Sequence, residues 1–282
     1  MYRTNHGWVA TKPDGTLNCF GLDIAGYTGC PNTGTPKPIS YVYNSRPLGK
    51  FCALYTDTTI YCWHGLAVAD QPAGTGWVTV STGPGFTALN ADGGLWSWPG
   101  SGAVFCTPGK CTTNRQLAAG VYVSVVGSKL SWAALNTDGG IICWAPSTTG
   151  TGETTQGGGC PTRTGFVAIR ASYSSFCAIW WDGSIQCWGT VSIIGKSSGE
   201  SWNHPHPEDT GYVALYATQR SWLGMKADGF IRVWGEYGYG AETTEESATR
   251  QKTAYPGTHC LSTTATRGTP TSDYSNNGWT GP

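Results

Sequence analysis

The stretch FVAIRASYSSFCAIWWDGSIQCWG, residues 166–189, decides the fold. Its residue types mirror one another about Asp182. Ile179 and Ile185 lie three positions away on either side, Cys177 and Cys187 five, and Phe176 and Trp188 six. An antiparallel hairpin produces this symmetry, because positions equally far from the turn sit opposite each other on neighbouring strands. Asp182-Gly183 suits the turn, since Gly accepts the positive φ it needs.

The same pattern recurs along the chain. Six aspartates, Asp14, Asp57, Asp92, Asp138, Asp182 and Asp228, are spaced 35 to 46 residues apart, and all but Asp57 are followed by Gly. Asp57 is followed by Thr58. Six residues before each Asp stand Trp8, Phe51, Phe86, Trp132, Phe176 and Trp222. Six after stand Phe20, Trp63, Trp98, Trp144, Trp188 and Trp234. Four before, the residue is Ala in five repeats and Gly224 in the sixth. The small residue at that point is expected to let a neighbouring repeat approach closely. Apolar residues occupy both faces of each hairpin, so both faces must be buried. A propeller does this by stacking each blade between two others.

A further short strand precedes each hairpin from the second onward: ISYVYNS at 39–45, WVTVST at 77–82, YVSVVG at 122–127, FVAIRAS at 166–172 and YVALYAT at 212–218. The first hairpin lacks a full strand before it. The tail Gly278-Trp279-Thr280 resembles Gly76-Trp77-Val78. Joined to the N-terminus, Gly278 precedes Asp14 by 18 residues, against 16 to 18 in the other Gly-led repeats. The fold predicted is all-β: a six-bladed β-propeller of hairpin repeats in one domain, 1–282, its ring closed by the N- and C-terminal segments. A tail that completes the blade of a neighbouring molecule is the alternative.

Composition agrees. Of 282 residues, 41 are Gly and 14 Trp, and only 12% are charged, which favours short strands and many turns. Lys plus Arg number 17, as do Asp plus Glu. Without a basic run to neutralise phosphates, nucleic acid is not an expected partner. No apolar stretch approaches the roughly 18 residues of a membrane span, so no membrane insertion is expected. The start, MYRTNHGWVATK, has no apolar leader segment. An extracellular protein would then have lost its leader or left its cell by another route.

Eleven cysteines without a paired Cys-x-x-Cys zinc pattern point to disulfides and an oxidising, extracellular setting. Cys52–Cys62 and Cys177–Cys187 are symmetric about their aspartates and should bridge across their hairpins. Cys19 and Cys143 share a strand position, and each is followed by a Cys-Pro in the next loop, so Cys19–Cys30 and Cys143–Cys160 are expected. Cys106 and Cys111, in FCTPGKC, should close a local loop. Cys260 is left over, as a buried thiol or an intermolecular bridge.

The segments 166–189 and 51–65 (FCALYTDTTIYCWHG) resemble the regulator of chromosome condensation repeat in its secreted, cysteine-bearing form. The resemblance covers the hairpins of all six repeats but not the loops. It implies a β-propeller and is nearly silent on function. Similar proteins include nucleotide-exchange factors for a small GTPase, bacterial inhibitors of β-lactamase and extracellular proteins of unknown role. This chain lacks the Gly-Gln-Leu-Gly that often follows Trp-Gly in such repeats, and it has no basic arm. Both departures point away from the nuclear role.

Candidate sites are sparse. His204, His206, Glu208 and Asp209, beside Trp202 in WNHPHPED, form the densest polar cluster. They are a candidate metal set or an exposed, Pro-stiffened loop. GKSSG at 195–199 matches a Gly-x-Ser-x-Gly pattern but lies after a hairpin rather than between strand and helix, which reads as chance. Trp180, Trp181, Trp202, Tyr237 and Tyr239 fall outside the repeat symmetry. If exposed, they could stack on sugars or anchor a protein; ordinary packing is the alternative. With no catalytic constellation and no cofactor fingerprint, the sequence predicts a non-enzymatic binding or scaffold module. It would sit outside the cell or on a cell or virion surface and recognise a protein or glycan through rim loops. A self-assembling structural subunit, its partner a copy of itself, is the alternative.

Overall fold

The computed structural model describes residues 2–3, 7–12, 14–21, 37–45, 50–63, 73–98, 115–116, 120–145, 159–190, 193–194, 203–204 and 207–236. These form six antiparallel sheets. The first holds β1 (Tyr2–Arg3), β2 (Gly7–Thr11) and β3 (Leu17–Gly21), and the second β4 (Ile39–Ser45), β5 (Lys50–Tyr55) and β6 (Ile60–Trp63). In the third, β7 (Trp77–Thr82), β8 (Phe86–Asn90) and β9 (Leu95–Trp98) are joined by β10 (Arg115–Gln116). The fourth holds β11 (Tyr122–Gly127), β12 (Trp132–Asn136) and β13 (Ile141–Trp144), and the fifth β14 (Phe166–Ala171), β15 (Ser175–Trp180) and β16 (Ile185–Gly189). In the sixth, β17 (Asn203–His204) lies beside β20 (Ile231–Glu236), followed by β19 (Ser221–Lys226) and β18 (Tyr212–Ala217). Two compact units divide the chain: one runs to Thr137 and takes in Trp144, and the other holds Asp138–Cys143 and the fifth and sixth sheets.

The mirror symmetry of the sequence is the register of the hairpins. Trp8 pairs with Phe20, Phe51 with Trp63, Phe86 with Trp98, Phe176 with Trp188 and Trp222 with Trp234. The rings stack across the strands, with centroids 5.5 Å apart in Phe51–Trp63 and Phe176–Trp188 and 6.4 Å apart in Trp222–Trp234. Alternate residues of a strand pack on opposite sides, as burial on both faces requires. In β5 and β6, Phe51, Ala53 and Trp63 join the core with Val9 and Leu17 of the first sheet. Cys52, Leu54, Ile60 and Cys62 join Val80, Phe86 and Trp98 of the third. Each fully buried apolar side chain of this size stabilises by about 1.5–3 kcal/mol.

The turns are three-residue loops. Trp180 N–H donates to Ser184 O at 2.9 Å and Gly183 N–H to Trp180 O at 2.8 Å, with Gly183 at φ 79°. Gly15, Gly93, Gly139 and Gly229 repeat that conformation, and Thr58 takes φ 63° in the second repeat. The aspartate caps the loop: Asp14, Asp57, Asp182 and Asp228 each accept the N–H two residues on, as Asx turns do.

Strands β14 and β18 each end one residue earlier than the sequence suggests. Ser172 and Thr218 leave the ladder because their hydroxyls bond those of Ser175 and Ser221, both at 2.6 Å. The small residue at Gly224 is explained within its own sheet rather than by a neighbouring one. A Cβ there would lie 2.8 Å from the Tyr212 ring and 3.1 Å from that of Trp234.

Three of the expected disulfides form. Cys52–Cys62 and Cys177–Cys187 bridge directly opposed residues with Cα atoms 4.0 and 4.1 Å apart, and Cys143–Cys160 spans 6.0 Å. Cys19 is also disulfide-bonded. Cys30, Cys106, Cys111, Cys260 and the tail 278–282 lie outside the described residues.

Candidate binding surface at the Trp180–Trp181 turn

The turn of the fifth sheet is tied by hydrogen bonds to the segment before β14. Trp181 N–H donates to Gly165 O at 3.0 Å, and the Trp180 indole N–H donates to Thr164 O at 2.6 Å. The two indoles contact each other at 5.3 Å, tilted by 51°. Trp180 is half-buried, whereas Trp181 is 68% exposed, the most exposed of the large apolar residues described. The guanidinium of Arg163 lies over the Trp180 ring at 4.5 Å and over Phe166 at 5.2 Å, within cation–π range. Asp182, next along the turn, is occupied by the backbone and hydroxyl of Ser184. Those hydrogen bonds, with a smaller contribution from the Arg163 charge, hold its carboxyl below the usual range.

A β-bulge sets the nearby apolar exposure. The register of β14 on β15 shifts after Phe166↔Trp180, which leaves Val167 unpaired and 61% exposed. Val78, Val123 and Val213 occupy the same bulge position in their sheets and are similarly exposed.

The other sequence candidates divide. Trp202, His206, Tyr237 and Tyr239 lie outside the described residues. His204 is on β17, opposite Gly235, and Glu208 is exposed. Asp209 is engaged elsewhere: Lys226 Nζ lies 2.6 Å from Oδ2, and Tyr212 donates its hydroxyl to Oδ1 at 2.9 Å. Burial opposes its ionisation, but these two bonds outweigh it and hold the carboxyl below the usual range. Burial, reinforced by Asp209, pushes the Tyr212 phenol well up. Among the described residues no three His, Cys, Asp or Glu side chains converge as metal ligands.

Arg163 is the residue that sequence reading missed. Its signal is positional. It stands 19 residues before Asp182, as Asp209 stands 19 before Asp228, while Lys37 stands 20 before Asp57. Each of these positions takes part in a charged corner at its turn.

No protein-family profile matches the chain, and no curated protein matches it in sequence. Solved structures do. The ectodomain of the Physcomitrella patens receptor kinase CR4 is 20% identical with a TM-score of 0.54, over 83% of this chain and 61% of that one. This chain therefore spans less than two thirds of the moss ectodomain. The CRINKLY WD40 ectodomain of the Arabidopsis thaliana receptor kinase ACR4 is 15% identical with a TM-score of 0.52, over 79% of this chain and 74% of that one. Prp20p of Saccharomyces cerevisiae, described with its binding to Gsp1p and histones, is 12% identical with a TM-score of 0.55, over 86% and 73%. At these identities the likeness concerns the fold alone, and it supports a propeller-type repeat fold like that of these structures.

Proposed function

We propose that the chain is a non-enzymatic, protein-binding propeller module that acts outside the cell or on a cell or virion surface. The observation that carries this reading is Trp181, a large apolar side chain held open to solvent on a turn fixed by backbone hydrogen bonds. Rigid aromatic anchors of this kind dominate protein interfaces. The disulfides fit an oxidising compartment. Two of the similar structures are receptor ectodomains, and a third is a protein described by its binding to other proteins.

In this reading the six sheets are six blades of one domain. The ring closes where Gly278-Trp279 supplies the start of the strand whose end is β1. Arg3 pairs with Trp8 at the offset where Ala171 pairs with Phe176, which supports that arrangement.

The test is the solution mass of the full chain, then its binding to an arrayed panel of extracellular proteins beside a Trp181→Ala variant. A monomer that binds a panel member and loses it with the variant is expected. Ordered polymers would favour the self-assembling subunit instead. A monomer that binds no panel member would overturn the reading, whereas binding that ignores Trp181 would keep it and move the contact elsewhere.

A further inference from the structure

We infer that the corner made by Arg163 and Trp181 docks a protein segment presenting a carboxylate beside an apolar side chain. The inference rests on the protein-binding reading above and specifies its site and partner chemistry.

The repeats provide the internal comparison. The position just before the turn aspartate is Pro13, Thr56, Ala91, Thr137 and Ala227 in the other five repeats, and Trp181 in the fifth. The turn therefore forms without a large side chain there. Although its ring touches Trp180, the 68% exposed Trp181 indole leaves most of its apolar surface in water.

The cations make the same argument. In the second sheet Lys37 is neutralised by Asp57 at 2.8 Å, and in the sixth Lys226 is neutralised by Asp209 at 2.6 Å. Arg163, in the fifth, has no carboxylate within ion-pair distance among the described residues. Its guanidinium is pinned by the Trp180 and Phe166 rings, and its N–H groups take part in no hydrogen bond among the described residues. Asp182 is turned to Ser184. A planar, pre-oriented guanidinium with open donors matches a carboxylate bidentately.

The neighbouring surface favours a peptide over a sugar. Val167 follows the Phe166↔Trp180 pair directly, and Val213 follows Tyr212, whose N–H bonds Gly183 O in the adjacent sheet. Both valines are more than half exposed. The corner thus offers apolar contact and one cation. Among the described residues it offers few of the convergent hydroxyl-binding groups that fix a sugar's orientation, since Asp182 is already bonded to Ser184.

The test uses random peptides displayed on phage and selected on the full chain, with the best sequence then synthesised. Winners should carry Asp or Glu beside Leu, Ile, Phe or Trp. Trp181→Ala should weaken the synthetic peptide at least about 30-fold, as loss of a buried aromatic anchor does. Arg163→Gln should weaken it about tenfold or more, and Arg163→Lys less. Amidating the peptide's carboxylate should erase the difference between wild type and Arg163→Gln. Trp181→Ala introduces the residue found at this position in the third and sixth repeats and removes only a partly exposed ring contact with Trp180, so its unfolding temperature should move little. Peptides that bind wild type, Trp181→Ala and Arg163→Gln equally would overturn this site and leave the protein-binding reading standing. Trp181-dependent binding of a uronate oligosaccharide with no peptide winners, or no binding of either probe, would overturn both.

Discussion

The carbonyl of Gly183, in the turn of the fifth sheet, accepts the backbone N–H of Tyr212, the first residue of the sixth, at 3.0 Å. The contact recurs one sheet at a time: Thr58 O accepts from Trp77, Gly93 O from Tyr122 and Gly139 O from Phe166. In these four repeats the turn is stitched to the strand that opens the next sheet. The turn glycine is therefore constrained twice, by its positive φ and by the incoming backbone. A Cβ on Gly183 would lie 2.5 Å from Gly211 N and 2.6 Å from its Cα.

Gly183→Ala should accordingly cost more than Gly76→Ala. Gly76 has a φ of 92°, but a Cβ there would meet nothing within 4 Å. Its substitution carries only the strain of a left-handed backbone, about 1–2 kcal/mol. Gly183→Ala adds a backbone collision that cannot relax by rotating a side chain, and should exceed it by about 1 kcal/mol or more. Urea midpoints of the two variants measure the difference; equal midpoints would remove the stitching role.

Much of this architecture was legible in the sequence. The pairing of Phe176 with Trp188 and of Cys177 with Cys187 follows from counting outward from Asp182, because strand register is arithmetic once the turn is known. The two-residue strands β10 and β17 were not legible, since two residues carry no period. Nor was the inter-sheet constraint on Gly183, which depends on a backbone some 28 residues away in sequence. At the candidate surface, Trp181 stood out as an aromatic outside the repeat symmetry. Arg163 did not, because an arginine acquires meaning only from the rings it stacks on and from the carboxylate it lacks.

The cross-strand disulfides should be structural. Cys177 and Cys187 are 0% and 1% exposed in the core that also holds Ile179, Leu215 and Trp234. Replacing both by Ala should lower stability by roughly 2–3 kcal/mol in the chain-entropy account. Thermal unfolding in mild reductant should leave wild type unchanged at temperatures where the double variant has begun to unfold. A variant as stable as wild type would show that the bridge is dispensable.

Acid should weaken the corner at Asp57. Hydrogen bonds from Lys37 and then Thr59 pull its carboxyl from 3.8 down to about 2. A carboxylate whose folded pKa is depressed stabilises the fold above its unfolded value, and that contribution is lost as pH falls through the folded value. The loss should fall between about pH 4 and pH 2. Asp57→Asn should flatten this part of the profile, small as an exposed pair makes it. Urea midpoints at pH 6 and pH 2.5 test it, and an unaltered difference between the two would dismiss the pair.

Two tryptophans at one repeat position should respond differently to the same substitution. Trp222 donates its indole N–H to Ser175 Oγ of the preceding sheet at 3.2 Å, and both residues are buried. Trp132 has the same place in the fourth sheet, but where Ser175 stands the third sheet has Gly85. The buried N–H of Trp132 finds no acceptor among the described residues. Phe occupies this position in the second, third and fifth repeats, so Phe fits the fold. Trp222→Phe gives up a hydrogen bond to Ser175, whose hydroxyl keeps its bond with Ser172, whereas Trp132→Phe removes an unsatisfied donor. Both lose similar ring area, so Trp132→Phe should be the milder change by about 1–2 kcal/mol. Ser175→Ala should cost less on top of Trp222→Phe than alone, the remaining cost being the Ser172 bond it also breaks, and a double-mutant cycle reads that coupling directly. Equal costs for the two Phe variants, with no coupling at Ser175, would mean that these indoles act through ring packing alone.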